Sequence, residues 1–132
     1  MHAQNNNYAA WLLLKITYAL VPILLGIDKL WGWWIVHWPI YASPIVLSYL
    51  PLSVNAFIII LGIIEITAGI LVWLFPRLGA YIVVLWMLLI VINLATMNKY
   101  YDIIARDLVI AIGALALAWL SSYSQTNARA KA

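Results

Sequence analysis

Four long apolar stretches, separated by shorter polar or proline-containing segments, dominate the pattern of hydrophobic and polar positions along this chain. They cover about residues 8–27, 52–75, 78–97 and 103–122. A helix of about 20 residues crosses the ~30 Å hydrocarbon core of a bilayer, because it rises ~1.5 Å per residue. Lipid cannot satisfy open backbone groups, so helices are favoured, and the alternating pattern of strands is absent. The pattern predicts an all-α membrane protein, a four-transmembrane-helix bundle in a single domain over residues 1–132.

The connections predict how these helices are arranged. Two residues separate the second and third spans, and residues 98–102 separate the third and fourth, so consecutive helices should be antiparallel neighbours. Residues 28–51 form a longer connection with three prolines and four of the eight tryptophans. We expect it to be a tryptophan-rich loop in the membrane interface, with a short amphipathic helix near residues 45–50. A polar C-terminal tail, 123–132, follows the fourth span.

Composition agrees with lipid as the solvent. The chain is 67% hydrophobic and only 8% charged, which leaves too little polar surface for a soluble domain of this size. It has no cysteine, which excludes disulfides, iron–sulfur clusters and thiolate zinc sites. Its two histidines do not suffice for a metal site, so none is predicted. The seven Lys and Arg residues are scattered, so the expected partner is the lipid bilayer and not a nucleic acid.

Both termini should lie on one face of the membrane, because the number of spans is even. That face carries Arg77, Arg129 and Lys131, and Lys15 leans towards it. The loop face carries three cations as well, but the positive-inside rule still favours the face of the termini by about one charge. The sequence therefore predicts cytoplasmic termini.

Glu65 is the deepest charged residue, about 15 Å from either end of its span by helical rise. Gly62, Glu65 and Gly69 share one helix face, and small residues there let a neighbouring helix approach closely. Glu65 should therefore point into the bundle, with Lys15 as its expected partner. Three interpretations stay open: a structural ion pair that fixes helix register, a carboxylate that carries protons or binds a ligand, or a carboxyl that remains protonated because burying a charge is costly.

A second group of polar residues should meet at the loop end of the bundle. These candidate ligand- or partner-binding residues are Asp28, Lys29, Asn93, Arg106 and Asp107, with Trp34 and Trp38 in the loop. Asp102 precedes Arg106 by one helical turn and should pair with it, and Lys29 could bridge to Asp107. Either these residues merely close the bundle, or they form the mouth of a pocket under an aromatic lid. In such a pocket Arg106 would anchor an anion or a carbonyl.

Three short motifs carry a resemblance to a known family: Gly-Ile-Asp-Lys at 26–29, Gly-Ile-Ile-Glu-Ile-Thr-Ala-Gly at 62–69, and Arg-Asp at 106–107. With them the chain resembles the DoxX-like and DoxD-like family of bacterial four-helix membrane proteins over about residues 8–120. The resemblance implies a bacterial inner (plasma) membrane location and a quinone-linked or accessory role. Relatives with thiol chemistry use cysteines, so that chemistry does not carry over.

The leading functional hypothesis is a non-catalytic accessory or quinone-proximal subunit of a membrane redox or stress-related complex. Its partners would be other membrane proteins or further copies of itself, and a quinone is the only cofactor that the resemblance suggests. The chain offers no ligands for an electron-donating cofactor, so we do not expect it to be an enzyme on its own. The alternative is a small-molecule binding or transport protein that uses a buried pocket at Glu65.

Overall fold

The computed structural model describes residues 2–34 and 37–130, and the side chains of residues 6–34 and 37–122. Over these residues the protein is helical and has no strand, which confirms the predicted all-α class. The elements in chain order are α1 (His2–Trp31), a 3-10 helix (Trp38–Tyr41), α2 (Pro44–Ser48), α3 (Val54–Leu74), α4 (Pro76–Ala95) and α5 (Tyr101–Ala130).

Within the described residues, four helices are long and apolar enough to cross a bilayer, as predicted. The first candidate span ends at Trp31 and not near residue 27, so Asp28 and Lys29 belong to helix and not to loop. The described part of the predicted polar tail is also helical, because α5 continues to Ala130. The last two residues of that tail lie outside the described residues, as do residues 35–36 of the interfacial loop.

Local sequence explains where the helices begin and end. The hydroxyl of Ser53 accepts a hydrogen bond from the backbone N–H of Ala56 at the start of α3. Pro76 opens α4, where its missing N–H costs nothing. Gly32 follows α1 with a φ of +70°, and its N–H closes the last turn onto the carbonyl of Asp28. The predicted short helix in the loop is present as α2, capped by Ser43.

The four long helices form an antiparallel bundle in which each packs against its neighbours in the chain. α1 packs against α3, α3 against α4, and α4 against α5, while contacts between α1 and α5 close the ring. The predicted neighbours are therefore confirmed. The core between these helices is built largely of small residues, which allow close approach. Its main buried cluster comprises Ala19, Ala68, Val72, Ala80, Val83, Ala114, Leu117 and Ala118.

Paired glycines set the register of α1 against α3. A methyl group added to Gly26 would lie 2.5 Å from the carbonyl oxygen of Gly62, and one added to Gly62 would lie 2.8 Å from that of Gly26. Further along, a methyl group on Gly69 would meet the carbonyl oxygen of Ala19 at 2.5 Å. The two backbones touch at both levels, so this register places Gly26 beside Gly62 and Ala19 beside Gly69.

Large apolar side chains cover the outside of the bundle, as a lipid-facing surface requires. Exposed aromatic residues concentrate at its two ends, the levels at which Trp and Tyr prefer to lie. At the loop end they include Trp31, Trp33, Trp34, Tyr49 and Tyr101, and at the end of the termini Tyr8, Trp73, Tyr81 and Trp119.

Candidate functional site

The centre of the candidate site is an ion pair between α1 and α3. The ammonium of Lys29 lies 2.7 Å from Oε2 of Glu65, and both side chains are only 6% exposed. The indole N–H of Trp86, on α4, donates to the other carboxylate oxygen at 3.4 Å. Glu65 does point into the bundle, as predicted, and three of the four spans contribute to its surroundings.

The expected partner of Glu65 was wrong. Lys15 lies beside Trp11 and Trp73 at the other end of the bundle, with its Nζ 5.2 Å and 5.0 Å from the two ring centroids. The paired glycines place Lys15 level with Trp73, which is about 12 Å along the helix axis from Glu65. A lysine stem that already leans away cannot bridge that distance.

The direction of helical side chains explains why Glu65 pairs with Lys29 and not with Lys15. Every Cα–Cβ bond in a helix tilts towards the helix N-terminus. Because α1 and α3 are antiparallel, Lys29 leans towards the membrane centre while Glu65 leans towards the loop end, and the two converge. Lys15 leans towards the termini and diverges from Glu65. The sequence contains this signal once the two helices are taken as antiparallel neighbours.

Trp38 covers Lys29, and Asp28 positions Trp38. The Lys29 ammonium lies 3.5 Å from the centroid of the Trp38 ring, within range of a cation–π interaction. Asp28 is 1% exposed and accepts the indole N–H of Trp38 at 2.8 Å and the backbone N–H of Trp34 at 2.5 Å. Trp34 thus contributes its backbone, while its ring is exposed. The predicted aromatic cover over the charges therefore exists, and its contact is made by Trp38.

Arg106 and Asp107 form the part of the site that reaches the surface. The Nε–H of Arg106 donates to Oδ1 of Asp107 at 3.1 Å, and Nη2 forms an ion pair with the same oxygen, also at 3.1 Å. The Asp107 side chain is 6% exposed, but that of Arg106 is 65% exposed. The expected pair between Asp102 and Arg106 was wrong, because the guanidinium folds onto the buried neighbour and leaves Asp102 at the exposed start of α5.

Asp107 does not pair with Lys29 either, because the ammonium is taken by Glu65. Their charges still interact over a longer distance, and Asp28 acts on Lys29 in the same way. Asp28, Lys29, Glu65, Asp107 and Arg106 therefore form one electrostatic group, the loop-side charge cluster. Burial of such groups in a membrane span is costly unless they are paired. In this cluster Lys29 pairs with Glu65, Asp107 pairs with Arg106, and Asp28 accepts hydrogen bonds from Trp34 and Trp38.

Asn93 was expected beside these charged residues, but its side chain contacts the interfacial loop. Its side-chain N–H donates to the carbonyl of Tyr41 at 2.7 Å, and its side-chain oxygen accepts the N–H of Ser43 at 3.1 Å. The hydroxyl of Ser43 also lies 2.6 Å from that of Thr96. Asn93 therefore ties the interfacial loop to the end of α4.

The cluster is closed in this structure. Across the part of the chain whose side chains are described, every buried side-chain nitrogen and oxygen has a hydrogen-bond partner. At the loop end of the bundle the guanidinium of Arg106 and the rings of Trp33 and Trp34 are exposed. Comparisons of this chain with protein-family models, with curated proteins and with solved structures found no match.

Proposed function

We propose that this protein is a non-catalytic accessory subunit of a membrane redox or stress-related complex, located in a bacterial inner membrane with cytoplasmic termini. Its loop-side face would contact a partner subunit and the quinone that the partner uses. The resemblance of its motifs to the DoxX-like family supports this proposal, as does the position of those motifs. Gly26 to Lys29, Glu65 and the Arg106–Asp107 pair all belong to, or border, the loop-side charge cluster.

One observation carries the proposal: Arg106 is exposed, yet its orientation is fixed by a buried carboxylate. Asp107 accepts the Nε–H and forms an ion pair with Nη2 of the guanidinium, and other N–H groups of the fork remain for an external oxygen. A guanidinium held in this way recognises a carbonyl or an anion with little loss of side-chain entropy. Exposed tryptophan rings at the same membrane level offer surfaces on which a flat headgroup can stack.

The test is binding and folding measured on the same samples. The full chain is isolated in a mild detergent, co-purifying proteins are identified by mass spectrometry, and a photoreactive quinone is cross-linked to the membranes. We expect Arg106→Met to remain folded while partner recovery and quinone labelling fall about tenfold or more, as for loss of a charge-assisted hydrogen bond. Arg106→Lys should restore part of the binding, and Lys99→Met, an exposed cation on the same face, should change neither. Unchanged partner recovery and labelling in Arg106→Met would refute the proposal.

A second candidate function is proton-coupled transport, favoured by one feature of Glu65. Its carboxylate is hydrogen-bonded to an ammonium near the middle of a span, which is an arrangement that can pass a proton. Proteoliposomes with a pH-sensitive dye inside would show proton uptake by the native chain and none by Glu65→Gln. Equal fluxes in native, Glu65→Gln and empty vesicles would exclude this candidate.

A further inference from the structure

The end of the bundle opposite the charge cluster holds a lysine without a carboxylate partner. Lys15 is half-buried, and its ammonium lies 5.2 Å from the ring centroid of Trp11 and 5.0 Å from that of Trp73. Among the described residues, no carboxylate forms an ion pair with it. The two rings stabilise its charge, but they accept none of its three N–H donors in a conventional hydrogen bond.

The surroundings of Lys15 are well ordered by contacts from other helices. The indole N–H of Trp11 donates to the hydroxyl of Ser121 on α5 at 2.9 Å, and Ser121 is only 1% exposed. The ring of Trp11 also packs beside that of Tyr8, with centroids 5.6 Å apart. Trp73 comes from α3, so three helices hold the two rings and the ammonium in place.

Charge is distributed unevenly between the two ends of the bundle. The chain has four acidic side chains: three are in the loop-side charge cluster, and Asp102 opens α5 at the loop end. The end of the termini has Lys15 and Arg77, and Arg129 and Lys131 follow in the sequence, without an acidic side chain. An anion from outside the chain would therefore meet positive charge and no acidic side chain at this end.

A shallow groove beside Trp73 has the chemistry of a lipid site. It has a volume of about 340 Å³ and lies at the turn between α3 and α4. It is lined by Leu74, Phe75, Pro76, Arg77, Leu78 and Tyr81. Trp73 directly precedes the first lining residue in the chain. Because Lys15 contacts the ring of Trp73, the groove and the Lys15 ammonium are linked through this residue. Arg77 supplies a guanidinium at the rim, and the remaining lining is mostly apolar.

We propose that Lys15 and Arg77 bind the phosphate of an anionic phospholipid in the leaflet on the side of the termini. Lys15 lies about 14 Å along α1 from Asn6, so its long side chain can direct the ammonium towards the headgroup level. The lipid's glycerol and upper acyl chains lie against the apolar wall of the groove. A basic residue near the membrane surface contributes enough attraction to change the affinity for an anionic lipid about fivefold.

Lipid selectivity tests this site directly. The purified full chain is delipidated, placed in nanodiscs with equal amounts of phosphatidylglycerol and phosphatidylcholine, and released for native mass spectrometry. The native protein should retain phosphatidylglycerol preferentially. Lys15→Met and Arg77→Met should each lower this preference about fivefold. Lys15→Arg should keep it, because a guanidinium keeps the positive charge and also stacks on aromatic faces.

Lys99→Met is the matched control, since it removes an exposed cation at the other end of the bundle. Equal retention of the two lipids by the native protein, or an equal effect of Lys99→Met, overturns the proposal. A separate arm measures thermal protection by inorganic phosphate, and protection as strong as that given by phosphatidylglycerol shows a site for free phosphate and overturns the lipid assignment. If Lys15→Met fails to fold, the surface variant Arg77→Met decides the outcome.

Discussion

The ammonium of Lys29 lies 2.7 Å from the carboxylate of Glu65, although 36 positions separate the two residues in the chain. The pair joins the loop end of α1 to the middle of α3, and it lies beneath the ring of Trp38. Paired charges in a membrane interior contribute little net stability, yet removing one partner leaves the other buried and uncompensated. The cost of removing one partner can therefore be measured against the cost of removing both.

Single changes in the pair should be costly, and the double change should not. We expect Lys29→Met and Glu65→Leu each to lower the free energy of unfolding by about 3–5 kcal/mol, and the double variant to regain most of that loss. Reversible unfolding in mixed micelles measures all four species. Lys15→Met combined with Glu65→Leu is the control, which should show no recovery because Lys15 contacts Trp11 and Trp73 instead. Additive losses in the Lys29 double variant would contradict the pairing.

The contact between Gly26 and Gly62 should tolerate no methyl group. A methyl group on Gly62 lies 2.8 Å from the carbonyl oxygen of Gly26 and 3.1 Å from Cβ of Lys29, so a backbone must move. Overpacking of this kind costs about 1–3 kcal/mol, while better helix propensity returns up to ~1 kcal/mol. We therefore expect Gly62→Ala to destabilise the bundle in the same micelle assay. Thr67→Ala, exposed on the same helix, should have almost no effect.

The sequence predicts most of the fold because hydrophobicity and length dominate the energetics in lipid. The four spans, their antiparallel order and the short helix at α2 all follow from apolar runs, prolines and short connections. The ends of α1 and α5 were harder to predict, because the helices continue beyond the most apolar residues. Hydropathy detects where lipid begins, whereas a helix ends where a residue such as Gly32 breaks it.

The candidate site was predicted as a set of residues but not as a set of contacts. Depth along a helix can be calculated from the sequence, and it placed Glu65 correctly inside the bundle. Depth alone, however, did not show that Lys29 leans towards Glu65 and Lys15 away from it. The sequence also did not predict that Arg106 pairs with Asp107 and not with Asp102, because adjacent residues on a helix do not normally face each other. The Arg106 side chain is long enough to fold back onto its neighbour and make this contact.

The topology can be tested without reference to function. Four spans place the loop and both termini on opposite faces, and the cations near the termini favour the cytoplasm for that face. Reporter fusions after Ala132 should be active in the cytoplasm, and fusions between Trp31 and Pro44 should be active outside it. Activity of both fusions on the same side would exclude a bundle of four spans.

Asp28 should control access to the charge cluster through Trp38. Its carboxylate accepts the indole N–H of Trp38 and the backbone N–H of Trp34, so it holds the tryptophan over Lys29. In Asp28→Asn, the side-chain amide can accept only one of these donors and turns its own N–H groups towards the other. Loss of a charge-assisted hydrogen bond costs about 1.5–3 kcal/mol, so the segment around Trp38 should open roughly tenfold more often, or more.

The absence of cysteine makes this opening measurable by labelling. Ala42 is 6% exposed and belongs to the small apolar cluster against which Trp38 packs. A thiol introduced by Ala42→Cys should react slowly with a maleimide in the native background and roughly tenfold faster when Asp28→Asn is added. Asp102→Asn removes the same charge at an exposed position of the loop end and should leave the rate unchanged. Equal rates in all three backgrounds would mean that Asp28 does not hold Trp38 in place, and the cover over Lys29 would then depend on apolar packing alone.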